Sequence, residues 1–197
     1  MKSLKHIVRL NHCVVLILLA TGWGYASQEA TPTSPSNADA AGIKEFSDRA
    51  QEFVKLHHSV EAKLPKLKTT DVPELIVAHE QALARKIREA RPHAKRGDIF
   101  TPNATEAFRN AIQKALAGPE APHAKATIKQ GDPLAKVRLL VNRAYPKALP
   151  YTTVPPTLLL NLPKLPNELA YRVAGHDLVL LDVKANLVVD YIPIVIP

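Results

Sequence analysis

The sequence predicts an α+β fold: an N-terminal antiparallel helical hairpin plus a third helix, then a short helix and a small three-stranded antiparallel β-meander. Three observations carry this. Apolar residues recur at alternating steps of three and four from Ile43 to Leu116, the spacing that lines one side of a helix. Polar-plus-proline starts and glycine or proline stops divide that stretch into segments. Residues 169–192 instead hold three short runs rich in Val, Leu and Tyr, split by breaks of hairpin length.

The first helix is expected over residues 43–64. Ile43, Phe46, Ala50, Phe53, His57, Val60 and Leu64 form one seam, and Pro65 ends it. Asp71-Val72-Pro73-Glu74 starts the second. The Asp71 carboxylate can accept an orphan backbone N–H, Pro73 fits the first turn, and Glu74 can reach back as in a capping box. Its seam is Ile76, Leu83, Ile87, Ala90 and Ala94, interrupted at Glu80, with Pro92 as kink or end and Gly97 as a left-handed stop. A short connection makes these two helices antiparallel neighbours. Thr101 caps the third helix with Pro102 in its first turn. Phe108, Ala111, Ile112, Ala115 and Leu116 follow, and Gly118-Pro119 stops it. The helical domain thus spans residues 43–117.

Residues 118–132 hold one large apolar side chain, Ile128, and read as a linker. Asp132-Pro133 repeats the cap-plus-proline start before Leu134, Val137, Leu140 and Val141, a short helix ending before Pro146. Pro146, Pro150, Pro155, Pro156, Pro163 and Pro166 then forbid a long helix or a central strand. An extended arm with one helical turn is expected there, packed by Leu158, Leu159 and Leu160. Strands are expected at 169–174, 178–183 and 187–192, with Gly175-His176 and Ala185-Asn186 in the turns. They are apolar on both faces. One face should meet the helices, and the other the proline-rich arm or a second copy, a route to a homo-oligomer through the tail sheet. Residues 133–197 form this small α+β module.

The N-terminus reads as an export signal. Lys2, Lys5 and Arg9 precede the apolar run Val14-Val15-Leu16-Ile17-Leu18-Leu19-Ala20, and Gly24-Tyr25-Ala26 places small residues where a signal peptidase cuts, after Ala26. The run is about half the ~20 residues a bilayer span needs, so no integral span is expected after cleavage. Cys13 precedes the apolar run, which does not suit a lipoprotein. Residues 27–42, rich in Ser, Thr, Pro and Ala, read as a flexible tether. Beyond Ala26 the chain has no Cys, Met or Trp, which excludes disulfides, thiol catalysis and thiolate metal sites and suits an oxidising compartment. Three of the 26 basic residues leave with the signal and none of the 18 acidic ones, so the net charge falls from +8 to +5.

No motif supplies an enzyme. Gly-x-Ser-x-Gly elbows, phosphate-binding glycine loops and dinucleotide fingerprints are missing. His79-Glu80 begins like a zinc-protease helix, but Leu83 stands where the second His belongs. His57 and Glu61, one helical turn apart, could share a metal with His79 from the facing helix. The plainer reading of His57 is a hydrogen-bonded seam residue, since no close His/Cys spacing accompanies it. His176 is explained by turn polarity. Asp177, Asp182 and Asp190 read as turn or edge charges rather than a facing catalytic pair, Asp190 as an edge guard. No cofactor is expected.

The strongest charge feature is Arg85, Lys86, Arg88, Arg91, Lys95 and Arg96 against Glu89. Arg85, Arg88, Arg91 and Lys95 form a basic face for an anionic envelope component or an acidic protein partner; solvated cations near a helix C-terminus are the structural alternative. Nucleic acid is not expected, because the chain is exported and no aromatics interleave with the charges.

Val54-Lys55-Leu56-His57, Leu64-Pro65-Lys66-Leu67-Lys68, Gly97-Asp98-Ile99-Phe100-Thr101-Pro102, Leu162-Pro163-Lys164-Leu165-Pro166 and Leu169-Ala170-Tyr171-Arg172-Val173 resemble an uncharacterised group of bacterial exported proteins. Tyr171, Gly175, Asp177, Leu180, Asp182 and Val189 are similar to the C-terminal module of RcnB-type periplasmic proteins, although Ala185-Asn186 replaces that family's usual glycine turn. That second resemblance implies a small β module and handling of nickel, cobalt or zinc. The residues themselves point to a periplasmic or secreted, non-enzymatic binding or scaffold protein of the bacterial cell envelope, with metal handling as the alternative.

Overall fold

The computed structural model describes residues 36–130, 138–150 and 152–196. The predicted signal peptide, most of the tether and the Asp132-Pro133 start lie outside the described residues. In chain order the elements are α1 (Asn37–Glu61), α2 (Pro73–Ala90), α3 (Pro102–Ala115), α4 (Ala121–Gln130), β1 (Thr152–Thr153), α5 (Pro156–Leu159), β2 (Leu169–Ala174), β3 (Asp177–Asp182) and β4 (Leu187–Ile192). The sheet is antiparallel throughout, in the order β1-β2-β3-β4. The fold class is the one the sequence predicts, with one short strand more. No helix among the described residues is long and apolar enough to cross a membrane.

α1 begins earlier than expected and takes in residues 37–42 of the supposed tether. Ser36 caps it, its hydroxyl accepting the Asp39 N–H at 3.1 Å. Gly42 seats α1 against α3: a Cβ there would lie 2.5 Å from the Asn103 carbonyl oxygen.

The start of α2 corrects the sequence reading. Val72 occupies the cap with no side-chain bond, and the Thr70 hydroxyl accepts the Val72 N–H at 3.1 Å. Proline at the first helical position makes the residue directly before it the cap. Thr101 meets that requirement for α3, accepting the Ala104 N–H at 3.3 Å; Asp71 sits one position too early and stays exposed. α2 stops at Ala90, just ahead of Pro92, and Gly97, at φ +90°, turns the chain in the loop beyond.

The predicted linker is largely helix. Ala121, Ala124 and Ile128 are buried at steps of three and four along α4, a seam whose alanines escape a search for large apolar residues. Over residues 138–145, where the fourth helix was expected to run, the chain instead lies along the free edge of β4. Asn142 N–H donates to Val188 C=O, Val188 N–H to Arg143 C=O, and Tyr145 N–H to Asn186 C=O, at 2.8, 2.8 and 3.0 Å. An unpaired strand edge offers this backbone more than an isolated short helix would.

Helices and sheet share one core. Phe46 of α1 stacks on Phe100 at 5.1 Å and meets Phe108 of α3 edge-on at 4.8 Å; Phe108 in turn meets Tyr171 of β2 at 6.0 Å. Leu158 and Leu162 of the arm join this cluster, while Leu159 and Leu160 face solvent, contrary to expectation. The other face of the sheet, with Ala174, Val179, Leu181 and Val188, is covered by Leu139, Tyr145 and Leu149. The segment ahead of the proline-rich arm, with Leu149 of the arm's first turn, takes that face.

Candidate functional site

α1 carries His57 on its seam and Glu61 one turn later, which brings both to the end of β3. His57 is fully buried, and so is Asp182. Nδ1–H of His57 donates to Asp182 Oδ2 at 2.6 Å, and Asp182 Oδ1 accepts the Ala185 N–H at 2.9 Å. Nε2 of His57 lies 3.3 Å from Glu61 Oε2, within ion-pair range but without the alignment of a hydrogen bond. Lys184 Nζ closes on both oxygens of Glu61 at 2.9 and 3.1 Å. Burial pulls the His57 imidazole down, but the Asp182 hydrogen bond and charge, with Glu61, outweigh it and raise its pKa. Burial pushes Glu61 up, and Lys184 and His57 more than reverse that, holding it below the usual carboxylate range. His58 reaches Glu168 at 2.7 Å, which lowers the Glu168 carboxyl.

The expected His57–Glu61 pair is thus assembled: Asp182 takes Nδ1 and Lys184 takes Glu61, while Nε2 has no hydrogen-bond partner among the described residues. His79 lines a groove of about 470 Å³ with His58, Glu61, Leu64, Lys66 and Leu67. Among the described residues no group of three His, Cys, Asp or Glu side chains is placed to hold a metal ion.

Asp190 is not an edge guard. It is fully buried and gathers the loop between α2 and α3. It accepts the N–H groups of Gly97, Ile99 and Phe100 at 3.0, 2.9 and 2.8 Å, and that of Tyr191 at 2.8 Å. Burial raises its carboxyl, and those four donors oppose the rise. Asp182 is likewise buried in its own hydrogen bonds, so the reading of turn or edge charges fails for both. Asp177 holds the C-terminal segment through the Ile194 N–H at 3.0 Å. His176 donates from Nδ1 to the Ile196 carbonyl at 2.9 Å, a local tie that needs no ligand.

Of the predicted basic face, Arg85 and Lys95 are exposed and Arg88 is partly so. Arg91 lies apart in character. Its guanidinium stacks over Phe53 at 5.1 Å, and its carbonyl accepts from Asn142 at 2.6 Å. Burial lowers its pKa against the pull of Asp98 and Asp190. It packs the loop rather than the surface. Lys95 follows the helix end, in the turn where its N–H donates to Asp98 at 2.9 Å.

Sequence reasoning missed what α2 does with its apolar stripe. Leu83 and Ile87 are buried, but Val72, Leu75 and Ile76, which continue the stripe toward the N-terminus, stand in solvent with Val77 beside them. The groove lined by Leu64, Leu67 and His79 opens at this end. The available signal was Glu80, which breaks the seam between the exposed and the buried half. Compared with protein-family models, curated proteins and solved structures, the chain matches none.

Proposed function

We propose that the protein is exported, with cleavage near Ala26, and serves as a non-enzymatic binding or scaffold protein of the bacterial cell envelope. One observation carries the reading: the apolar stripe of α2 is open over Val72, Leu75 and Ile76. Large apolar side chains grouped in solvent mark an interaction surface more often than a folding device. Further along the same helix stand Arg85 and Lys86, with Arg88 partly exposed and Lys95 beyond the helix end. A partner suited to both ends is an acidic protein that presents an apolar segment.

The test is charge reversal. Replacing Arg85, Arg88 and Lys95 by Glu should abolish retention of the protein on envelope fractions while leaving its fold intact; unchanged retention would sink the reading. Arg91 is left out because its guanidinium packs on Phe53. The geometry lends the metal-handling alternative no support: Lys184 holds Glu61, and among the described residues no three His, Cys, Asp or Glu side chains are grouped to hold a metal ion.

A further inference from the structure

Arg109, Ile112, Gln113 and Leu116 fall at steps of three and four along α3 and its C-cap, so they share one face of that helix. The C-terminal residues 194–196 and Lys125 of α4 meet this face, and a pocket of about 350 Å³ opens between them. Ile112, Leu116, Val195 and Ile196, all buried, give it an aliphatic floor. Its lining holds two cations, Arg109 and Lys125, and neither a carboxylate nor an aromatic ring. Among the described residues neither cation is in an ion pair.

The backbone beside the pocket is strained. Ile194 sits at φ +49°, where a β-branched residue is a rare outlier, and its side chain is 77% exposed. Its neighbours enforce that conformation. The Ile194 N–H donates to Asp177 Oδ1 at 3.0 Å, and Arg109 donates to the Pro193 and Ile194 carbonyls at 3.2 and 3.3 Å. The N–H groups of Val195 and Ile196 both donate to the His176 carbonyl, at 2.9 and 3.0 Å. Strain persists where the surroundings over-determine it, and it clusters at ligand clamps. The same bonds fix the Arg109 guanidinium at the pocket and spend two of its N–H donors, leaving the rest to meet a ligand.

We propose that this pocket binds a free straight-chain carboxylate, a monoacyl anion of medium length. The carboxylate meets Arg109 and Lys125, and the chain lies on Ile112, Leu116 and Val195 beside Ile194. An all-aliphatic lining suits a flexible chain rather than a stacked ring. The volume, at the small end for ligand pockets, suits one chain rather than two. The pocket shares no residue with the α2 surface, so the proposal stands or falls on its own.

The probe is decanoate, titrated calorimetrically below its micellar range into the purified protein. Octanoate, 1-decanol and acetyl-leucyl-leucine with a free carboxylate are the comparisons. Decanoate should bind about fivefold more tightly than octanoate. It should bind at least about tenfold more tightly than decanol or the peptide. Lys125→Glu, at an exposed position, should weaken decanoate by about tenfold. Ile194→Gly relieves the left-handed backbone. It should melt no lower than the wild type and yet bind decanoate about threefold more weakly. Failure of decanoate to bind, equal binding of decanol, tighter binding of the peptide, or unchanged affinity in a folded Lys125→Glu variant overturns the proposal. Should Lys125→Glu fail to fold, the ligand series and Ile194→Gly still decide.

Discussion

At the C-terminal end of α1, His57 is fully buried beside an equally buried Asp182, whereas in the first turns of α2, Leu75, Ile76 and Val77 stand 52, 45 and 46% exposed. These neighbouring stretches invert the usual placement of polar and apolar side chains. A buried histidine and aspartate persist because each satisfies the other, and removing one leaves a charge without a partner. Leu75, Ile76 and Val77 together leave about half of their surface in water, and apolar exposure grouped in this way marks a contact surface. The difference separates what holds this protein together from what it offers to others.

The comparison breaks most visibly at Asp182. Asp182→Ala leaves His57 buried without its carboxylate and the Ala185 N–H without an acceptor. It should lower unfolding free energy by about 3–5 kcal/mol in urea titrations. A loss below about 1 kcal/mol would mean that the pair is not a structural tie. Combining it with His57→Leu should cost much less than the sum of the two single changes, because no orphan charge remains.

Asp190 sharpens the contrast between two kinds of buried carboxylate. Its acceptors serve backbone N–H groups, which do not titrate. Asp190→Asn keeps one accepting oxygen and should cost about 1–3 kcal/mol by the same measurement.

The pH dependence separates the two sites by range, since folding raises both groups from ordinary values that lie far apart. The His57 pKa is raised on folding, so its contribution is complete below the unfolded value of about 6.5 and is lost as pH rises through the folded value. Asp182, Glu61 and Lys184 are the charged groups that face it. Denaturation between about pH 6 and 9 should therefore show stability falling with pH in the wild type. The slope should flatten in His57→Gln and persist in Asp190→Asn.

Smaller effects belong to the surface. Lys184 is about half exposed, and Lys184→Ala should change stability by less than about 1 kcal/mol. Replacing Leu75 and Ile76 by Asp should stay within about 0.5 kcal/mol of wild type, since both lie outside the buried core, about half exposed, in the first turn of α2 where an acidic residue suits the helix dipole.

The sequence showed the helices and strands wherever the apolar period was carried by large side chains: the seam from Phe46 to Val60, the Thr101-Pro102 start, the runs 169–174 and 187–192. It hid α4, whose seam is two alanines and one isoleucine, and β1, two threonines among prolines that pair only because β2 is there to receive them. Of the candidate site, His57 and Glu61 were legible as a helical pair. Asp182 and Asp190 were not legible as partners, because their contacts come from residues far away in the chain. The clue was present all the same: a carboxylate at an inward strand position, like a histidine in an apolar seam, requires a partner. The open end of α2 was hidden because periodicity marks a stripe without saying how much of it a neighbour covers.

The most direct measurement pairs the melting temperature of the Leu75→Asp, Ile76→Asp double variant with its retention on envelope fractions. The account predicts an unchanged melting temperature and lost retention. Full retention by a variant that melts like the wild type would contradict it.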